Sequence, residues 1–355
     1  FRTMKAAYVA VIVISIASLL PPAVALKFLS YNSIFGHSHA NFQGKVADAL
    51  AEAGHEVVML SPILITSLKN VSSKHARVIH VPPNDFVRGY DKFIEASFSV
   101  NLWTAEQSSP LAFFEVMKII KTYLAEECRV VLTTPGLLES LRDEKFDGAF
   151  GEFVDPCGFG LFYVLGIKKF AVTHSMASID RASITGVPAF ASFQPALLST
   201  TSDRMSFRER VHNMLCEYAW DTMIGMAFDG IQEIFNAIHE DFPRIEDIIK
   251  NASYFFLNSE PLIDFPRLVS RKMIDIGGIA LPTEWHPLSE PLSSELSLRP
   301  QTIFISFGSV MLSHLMPEQF KQSIRSLALA LPDVTFIWKY EKPEDDVAAG
   351  IPNLI

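Results

Sequence analysis

Histidines follow the first apolar strand pattern of the chain, in the loop Phe35-Gly36-His37-Ser38-His39. In doubly wound parallel sheets, ligands bind beyond the carboxyl ends of the strands, so chemistry usually takes place at such a loop. A histidine near the N-terminus of the following helix tends to stay neutral, and a general base must be neutral. A histidine that only caps the loop or the helix is the alternative, and these residues alone favour it over catalysis.

Two carboxylates are candidate partners for such a histidine. Glu152 and Asp155 follow the strand pattern that begins at Phe146, at the same edge of the predicted sheet as the histidine loop. A carboxylate there could orient the imidazole and stabilise the imidazolium that forms when a proton is taken up. Solvated surface carboxylates give the same pattern, and Asp147, near the start of the strand, is expected to be one of them.

A third candidate is the turn Ser306-Phe307-Gly308-Ser309, which follows a later apolar strand. Gly308 and Ser309 offer backbone N–H groups and a hydroxyl to a phosphate, although an ordinary strand-to-helix turn has the same composition. The chain contains neither a G-x-G-x-x-G nor a P-loop pattern, so an NAD or ATP site is not supported. It also lacks the H-E-x-x-H and C-x-x-C spacings, and we therefore expect no metal site.

Other residues of chemically active types have mainly structural interpretations. His55 stands in a helix-to-strand turn at the opposite edge of the sheet, whereas His174 ends a strand on the ligand side and is a candidate pocket residue. Cys157 lacks basic neighbours that would activate its thiol, so we expect no nucleophilic role. With Cys128 and Cys216 as the other cysteines, at most one disulfide can form.

An alternation of strands and helices positions these residues and predicts an α/β fold with a doubly wound parallel sheet. We predict strands at 27–31, 55–60, 76–81, 146–153, 169–173, 254–257, 273–276, 302–307 and 334–340, helices at 41–53, 157–165, 205–238 and 317–331, and a mostly helical stretch at 85–127. Residues 281–300 contain four prolines and are interpreted as a linker between a domain at 26–280 and the start of a second at 301–355.

Composition and the first residues indicate the cellular class. The 355 residues are 49% hydrophobic and 19% charged with a net charge of −9, which excludes a disordered chain and gives no indication of nucleic-acid binding. A basic residue, an apolar run of about 15 residues and an A-x-A site predict a secretory signal peptide at residues 1–25. A membrane anchor is the alternative, but the run is short for one. In the secretory pathway, Asn70 and Asn251 become glycosylation candidates.

Several motifs in order resemble the amino-terminal half of the UDP-glucuronosyltransferases, in the form typical of nematodes. The resemblance runs from about residue 5 to the last residue and is carried by Leu29 to His39, Ala53 to Val57, Phe146 to Gly158, Met205 to Val211, Asn258-Ser259, Phe265 to Arg267, Ile276 to Gly278, Ser306 to Ser309 and Phe336 to Tyr340. It implies the GT-B architecture, in which two Rossmann-like domains face each other across a cleft. In this family the first domain binds a small lipophilic hydroxyl acceptor and the second binds the UDP-sugar.

The resemblance also implies roles for particular residues. It places the general base on His39 and its acidic partner on Glu152, where many members of the family have Asp, with Asp155 in reserve. Gly308 and Ser309 match the turn near the donor phosphates. The implied reaction inverts the anomeric carbon and uses a UDP-sugar as co-substrate, with no metal and no cofactor.

The donor-binding signature of the family, with its His-Gly-Gly run, would begin just beyond Ile355. We therefore expect negligible transferase activity from these residues alone. UDP-glucuronate is the implied donor; UDP-glucose and a non-catalytic fragment that binds an apolar ligand are the alternatives. The family implies the lumen of the endoplasmic reticulum, a carboxyl-terminal membrane helix that these residues do not include, and homo- or hetero-oligomers, whereas the acceptor's identity is not encoded in a motif.

Overall fold

The computed structural model describes residues 24–94, 98–104, 110–179, 181–282 and 284–355. The predicted signal peptide at 1–25 lies almost entirely outside the described residues. In the described part of the chain, no helix combines the length and apolar character needed to cross a membrane.

Seven strands form one parallel sheet. They are β1 (Lys27–Tyr31), β2 (Glu56–Pro62), β3 (Arg77–Val81), β4 (Gly148–Glu152), β5 (Phe170–His174), β6 (Tyr254–Leu257) and β7 (Met273–Asp275). Their order in space is β3-β2-β1-β4-β5-β6-β7, and all neighbouring pairs are parallel. The predicted doubly wound α/β fold is therefore confirmed. The order reverses between β1 and β4, and ligands of such sheets bind in the crevice at that switch point.

The helices that accompany the strands are α1 (His37–Glu52), α2 (Gly89–Phe93), α3 (Ser99–Thr104), α4 (Pro110–Thr133), α5 (Leu137–Asp143), α6 (Cys157–Val164), α7 (Ala182–Thr185), α8 (Phe207–Ile238), α9 (Ile245–Lys250), α10 (Leu292–Ser297) and α11 (Glu318–Ala330). A capping box begins α8, in which Ser206 and Glu209 satisfy each other's backbone N–H groups. Helices α6 and α8 pack closely at Gly160, where an added Cβ would overlap the ring of the buried Phe235.

A disulfide joins α4 to α6. Cys128 and Cys157 have Cα atoms 5.7 Å apart and are bonded, whereas Cys216 is free and buried. Burial raises the pKa of the Cys216 thiol, so it is not poised to react. The sequence predicts at most one pair, and the fold selects the two cysteines that face each other.

The second sheet is smaller and comprises β8 (Gln301–Ile305) and β9 (Val334–Trp338), with α11 between them in the chain. The predicted linker at 281–300 precedes it and contains α10. Helix α3 contacts this second unit, because the indole N–H of Trp103 donates to the Leu312 carbonyl at 2.9 Å and the Ser99 hydroxyl accepts from Leu312 N–H at 2.9 Å.

The main departure from the predicted elements lies at the first helix. It begins at His37 rather than at residue 41, so that His39 stands in the first helical turn and not in a loop. Gly36 is extended, with φ −164°, and the ring of Phe35 packs against the His39 ring with centroids 4.5 Å apart. These contacts hold the start of the helix without a side-chain cap, which is why capping signals do not indicate it.

Candidate active site

Three adjacent strands bring the candidate residues together at one edge of the sheet. His39 lies just beyond β1, Glu152 is the last residue of β4, and His174 is the last residue of β5, followed by Ser175. Because β1, β4 and β5 are parallel neighbours, their carboxyl ends meet at the switch point. The predicted proximity of His39 and Glu152 is therefore observed.

The distances define how these side chains are connected. His39 Nδ1 lies 2.6 Å from Ser175 Oγ and 3.7 Å from Glu152 Oε2. The other carboxylate oxygen, Oε1, lies 3.0 Å from His174 Nδ1. The backbone N–H of Ser175 donates to both carboxylate oxygens, at 3.3 and 3.2 Å. The buried carboxylate of Glu152 therefore contacts two histidines and one serine.

The electrostatics of Glu152 follow from these partners. Its burial raises the pKa, but the hydrogen bond with His174 and the nearby His39 ring outweigh that effect and lower the pKa to about 2. The carboxylate is consequently ionised at neutral pH although only 2% of the residue is exposed. Such a fixed negative charge would stabilise an imidazolium beside it.

His39 also meets the two geometric requirements of a base. Its Nδ1 is engaged within the cluster, which leaves Nε2 as the nitrogen available to a substrate hydroxyl. About a fifth of the side chain is exposed, so a substrate can reach it, whereas His174 is almost fully buried. His174 packs edge-on against the ring of Phe153, with centroids 5.4 Å apart.

The reserve candidate, Asp155, lies in a different cluster. Its Oδ1 accepts from the backbone N–H of Cys157 at 3.1 Å, and its carboxyl group faces Glu127 of α4. Burial raises the pKa of Asp155 to about 6, and the charge of Glu152 raises it too, whereas the hydrogen bond with Glu127 lowers it. Burial and the neighbouring Asp155 raise the pKa of Glu127 well above its usual range. The phenol of Tyr31 donates to both Glu127 oxygens at 3.2 Å. No contact joins Asp155 to His39 in the described structure.

The predicted phosphate turn lies at the carboxyl end of β8, in the second unit. Gly308 has φ +79°, a conformation that favours glycine, and both Gly308 and Ser309 are exposed. The ammonium group of Lys339 donates to the carbonyl of Gly308, so a cation lies beside the turn. Phe307 packs edge-on against Trp103 of α3, with centroids 4.9 Å apart.

The remaining predicted residues lie away from these groups. His55 Nδ1 accepts from the backbone N–H of Leu26 at 3.3 Å, a structural contact at the opposite edge of the sheet. Asp147 is exposed, as predicted, but it also accepts from the backbone N–H of Lys27 at 2.7 Å. Asn70 and Asn251 are both exposed, and the side-chain amide of Asn251 donates to the Asp247 carbonyl at 2.9 Å.

A cavity of about 290 Å³ is lined in part by Met176, the residue that follows Ser175 in the chain. Its walls combine apolar and polar side chains, among them Met176, Leu197, Trp220, Phe265 and Arg267. Sites for small lipophilic molecules are typically apolar clefts with a few polar groups, and this cavity has that character.

Sequence reasoning did not identify Ser175, and it left His174 without a partner. The sequence contains a signal for these two residues, because His174 ends the strand that follows Glu152 in the alternating pattern and Ser175 comes directly after it. The parallel register places Glu152 opposite Thr173, so the next two residues necessarily lie beside the carboxylate. That register is not visible before the strands are paired.

Comparison with known proteins identifies the family. The family model described as UDP-glucoronosyl and UDP-glucosyl transferase matches residues 28–349. The chain is 26% identical over 328 residues to the putative UDP-glucuronosyltransferase ugt-55 of Caenorhabditis elegans, covering 91% of this chain and 62% of the relative. It is 24% identical to UDP-glucuronosyltransferase 1A3 of Rattus norvegicus, covering 83% of this chain and 55% of that protein. The chain therefore spans about three fifths of the length of these relatives.

Solved structures support the fold. The glycotransferase of kitacinnamycin matches with a TM-score of 0.53 at 12% identity, over 94% of this chain and 71% of that one. The spinosyn rhamnosyltransferase SpnG matches with a TM-score of 0.51 at 11% identity, over 93% of this chain and 69% of that one. The expected GT-B fold is thereby confirmed, and identities this low carry no further conclusion.

Proposed function

This chain belongs to the UDP-glucoronosyl and UDP-glucosyl transferase family, and we propose that it provides the acceptor side of a transferase that moves glucuronic acid from UDP-glucuronate to hydroxyl groups of small lipophilic molecules. The observation that carries the proposal is the imidazole of His39 beside the ionised, buried carboxylate of Glu152. The cavity of about 290 Å³ that includes Met176 supports an acceptor of modest size.

In the proposed mechanism, His39 Nε2 takes the proton of the acceptor hydroxyl as its oxygen attacks the anomeric carbon of the sugar. The new bond forms on the face opposite the leaving group, while the bond from that carbon to the UDP oxygen breaks and UDP departs with the electron pair. The configuration at the carbon is therefore inverted. Glu152 stabilises the imidazolium that carries the proton until it is released to solvent.

The donor side of the proposal rests on the turn at Gly308 and Ser309. These two residues are exposed and have the Lys339 ammonium beside them, and a cation suits a diphosphate. Residues 301–355 form only two paired strands and one helix of this unit. Since the groups that bind the diphosphate and sugar also stabilise the leaving group, we propose that residues 1–355 alone have negligible turnover.

The test is transferase activity of the product of the full reading frame, expressed in membranes and assayed with UDP-glucuronate and a panel of phenols. We expect His39→Ala to lose about 10²-fold or more in kcat/KM, because general-base catalysis typically contributes that much. Glu152→Gln should show a similar loss. Ser38→Ala, an exposed neighbour of the base, is the matched control and should retain activity.

The alternatives are separate outcomes of the same assay. Turnover with UDP-glucose but not with UDP-glucuronate would identify a glucosyltransferase, which the family description also includes. A product that is inert with both donors but binds phenols would be a binding protein.

Localisation in the lumen of the endoplasmic reticulum is part of the proposal. The Cys128–Cys157 disulfide supports an oxidising compartment, and the exposed sequons at Asn70 and Asn251 are accessible to glycosylation. We expect a glycosidase that removes N-linked glycans to increase gel mobility, with Asn70→Gln and Asn251→Gln each abolishing part of the shift. A single unglycosylated species in all three proteins would contradict this assignment.

A further inference from the structure

The closest partner of the proposed base is not the carboxylate that the sequence suggests. Ser175 Oγ lies 2.6 Å from His39 Nδ1, within hydrogen-bond distance, whereas Glu152 Oε2 lies at 3.7 Å and outside it. We propose that Ser175 is the positioning residue of His39, that Glu152 and His174 hold Ser175 in place, and that the Glu152 charge favours the proton on His39 Nδ1. This inference rests on the proposed function only in giving His39 the role of base.

The position of Ser175 is determined by Glu152. Both carboxylate oxygens accept from the Ser175 backbone N–H, which fixes the residue where its hydroxyl faces His39. Asn258 holds it from the other direction, because its side-chain amide donates to the Ser175 carbonyl at 2.9 Å. Hydrogen bonds to the backbone N–H and to the carbonyl of Ser175 therefore fix the position of its hydroxyl.

His174 in turn holds the carboxylate. Its Nδ1 lies 3.0 Å from Glu152 Oε1, and the histidine is buried against the Phe153 ring, so it cannot turn away without breaking its packing. The carboxylate is thus engaged by His174 and the Ser175 backbone. It remains close enough to His39 to act on it by charge.

This arrangement selects a tautomer of His39. A serine hydroxyl can accept from an Nδ1–H or donate to a bare Nδ1. The anion 3.7 Å from Nδ1 favours the proton on that nitrogen, so Nδ1–H donates to Ser175 Oγ and the lone pair of Nε2 is left for a substrate hydroxyl. The Ser175 hydroxyl keeps its own hydrogen, so no proton is transferred between Ser175 and His39 in the free protein.

The experiment is nitrogen-15 NMR of the imidazole groups in the present chain, with His39 signals assigned through His39→Gln. It needs no donor and no turnover, so it can fail independently of the transferase proposal. In the wild type we expect the Nδ1–H tautomer of neutral His39 to dominate. Ser175→Ala should reduce the ratio of Nδ1–H to Nε2–H roughly three- to tenfold, the range of one net hydrogen bond.

Two further variants separate positioning from general support of the structure. Ser175→Thr keeps the hydroxyl and should restore the wild-type ratio, and Ser38→Ala should leave it unchanged. A wild-type His39 that carries its proton on Nε2 would overturn the proposal without any variant. So would a ratio that is insensitive to Ser175→Ala but collapses in Glu152→Gln, because the carboxylate would then set the tautomer of His39 without the serine hydroxyl.

Discussion

Glu152 and Asp155 lie three residues apart at the end of β4 and belong to two separate buried clusters. The pKa values of their carboxyl groups shift in opposite directions. Glu152 has its pKa lowered to about 2, whereas Asp155 has its pKa raised to about 6. Both residues are at least 98% buried, so burial cannot account for the difference. The two side chains leave the chain in different directions and meet different partners.

The partners account for the contrast. Glu152 meets two imidazoles and a backbone N–H, all of which favour its charged form. Asp155 has no imidazole beside it, and its contacts with the Cys157 N–H and with Glu127 do not offset the effects of burial and of the Glu152 charge, so its pKa stays raised. The comparison shows that contacts, and not burial, determine the direction in which each pKa shifts, and that the carboxylate with the lowered pKa is the one beside His39.

The largest expected effect concerns the covalent link beside the Asp155 cluster. Cys128 follows Glu127 directly and Cys157 stands two residues after Asp155, so the disulfide closes the cluster. The joint change Cys128→Ser with Cys157→Ser should lower the free energy of unfolding by about 3–4 kcal/mol, because a closed loop of this size restricts the unfolded chain. Urea denaturation measures it, with Cys216→Ala as the control for loss of a thiol. An unchanged midpoint would show that the two cysteines are not bonded.

The next effect concerns Glu152 and acid. Its pKa is lowered in the folded state, so its contribution of about 3 kcal/mol is present above pH 4.5 and is lost as pH falls towards 2. Glu152→Gln should lack this contribution and its acid dependence, as measured by urea unfolding between pH 2 and 7. The exposed Glu139→Gln is the matched control and should unfold with acid like the wild type. An unaltered acid profile in Glu152→Gln would argue against an ionised carboxylate.

For Glu127 the stability of the fold should depend on pH in the opposite direction. The folded-state pKa values of this pair are raised, so its protons stabilise the fold at low pH and that stability is lost as pH rises through about 6, the pKa of Asp155. Glu127→Gln removes one acid and should raise the free energy of unfolding at pH 8. Thermal melting at pH 5 and pH 8 tests it. Destabilisation at pH 8 would remove the contrast between the two clusters.

The smallest effect concerns the phenol that contacts Glu127. Tyr31→Phe removes a donor to both carboxylate oxygens while keeping the ring, and it should cost about 1 kcal/mol in the free energy of unfolding. The melting temperature at neutral pH measures this cost. A larger loss in Tyr31→Phe than in the disulfide variant would mean that the cluster depends on the phenol more than on the covalent link.

Much of the fold can be predicted because its signals are local. Strands β1 and β6 have the predicted boundaries, and most other strands differ by one or two residues, since an alternation of apolar runs and helical spacing is read within a short window. The start of α1 is different, because the contact of Phe35 with His39 replaces a capping residue. Helix α5 lies between predicted elements and was not predicted.

The candidate site also has a part that local sequence patterns predict and a part that depends on tertiary contacts. Residue types and strand ends suffice to place His39 and Glu152 at one edge of the sheet, because every parallel strand presents its carboxyl end there. The choice between Glu152 and Asp155 as neighbour of His39, the contacts of Ser175 and the pairing of Cys128 with Cys157 depend on which strands and helices lie side by side. Residues 39 and 175 meet through the lateral order β1-β4-β5, and a linear pattern carries no measure of that distance.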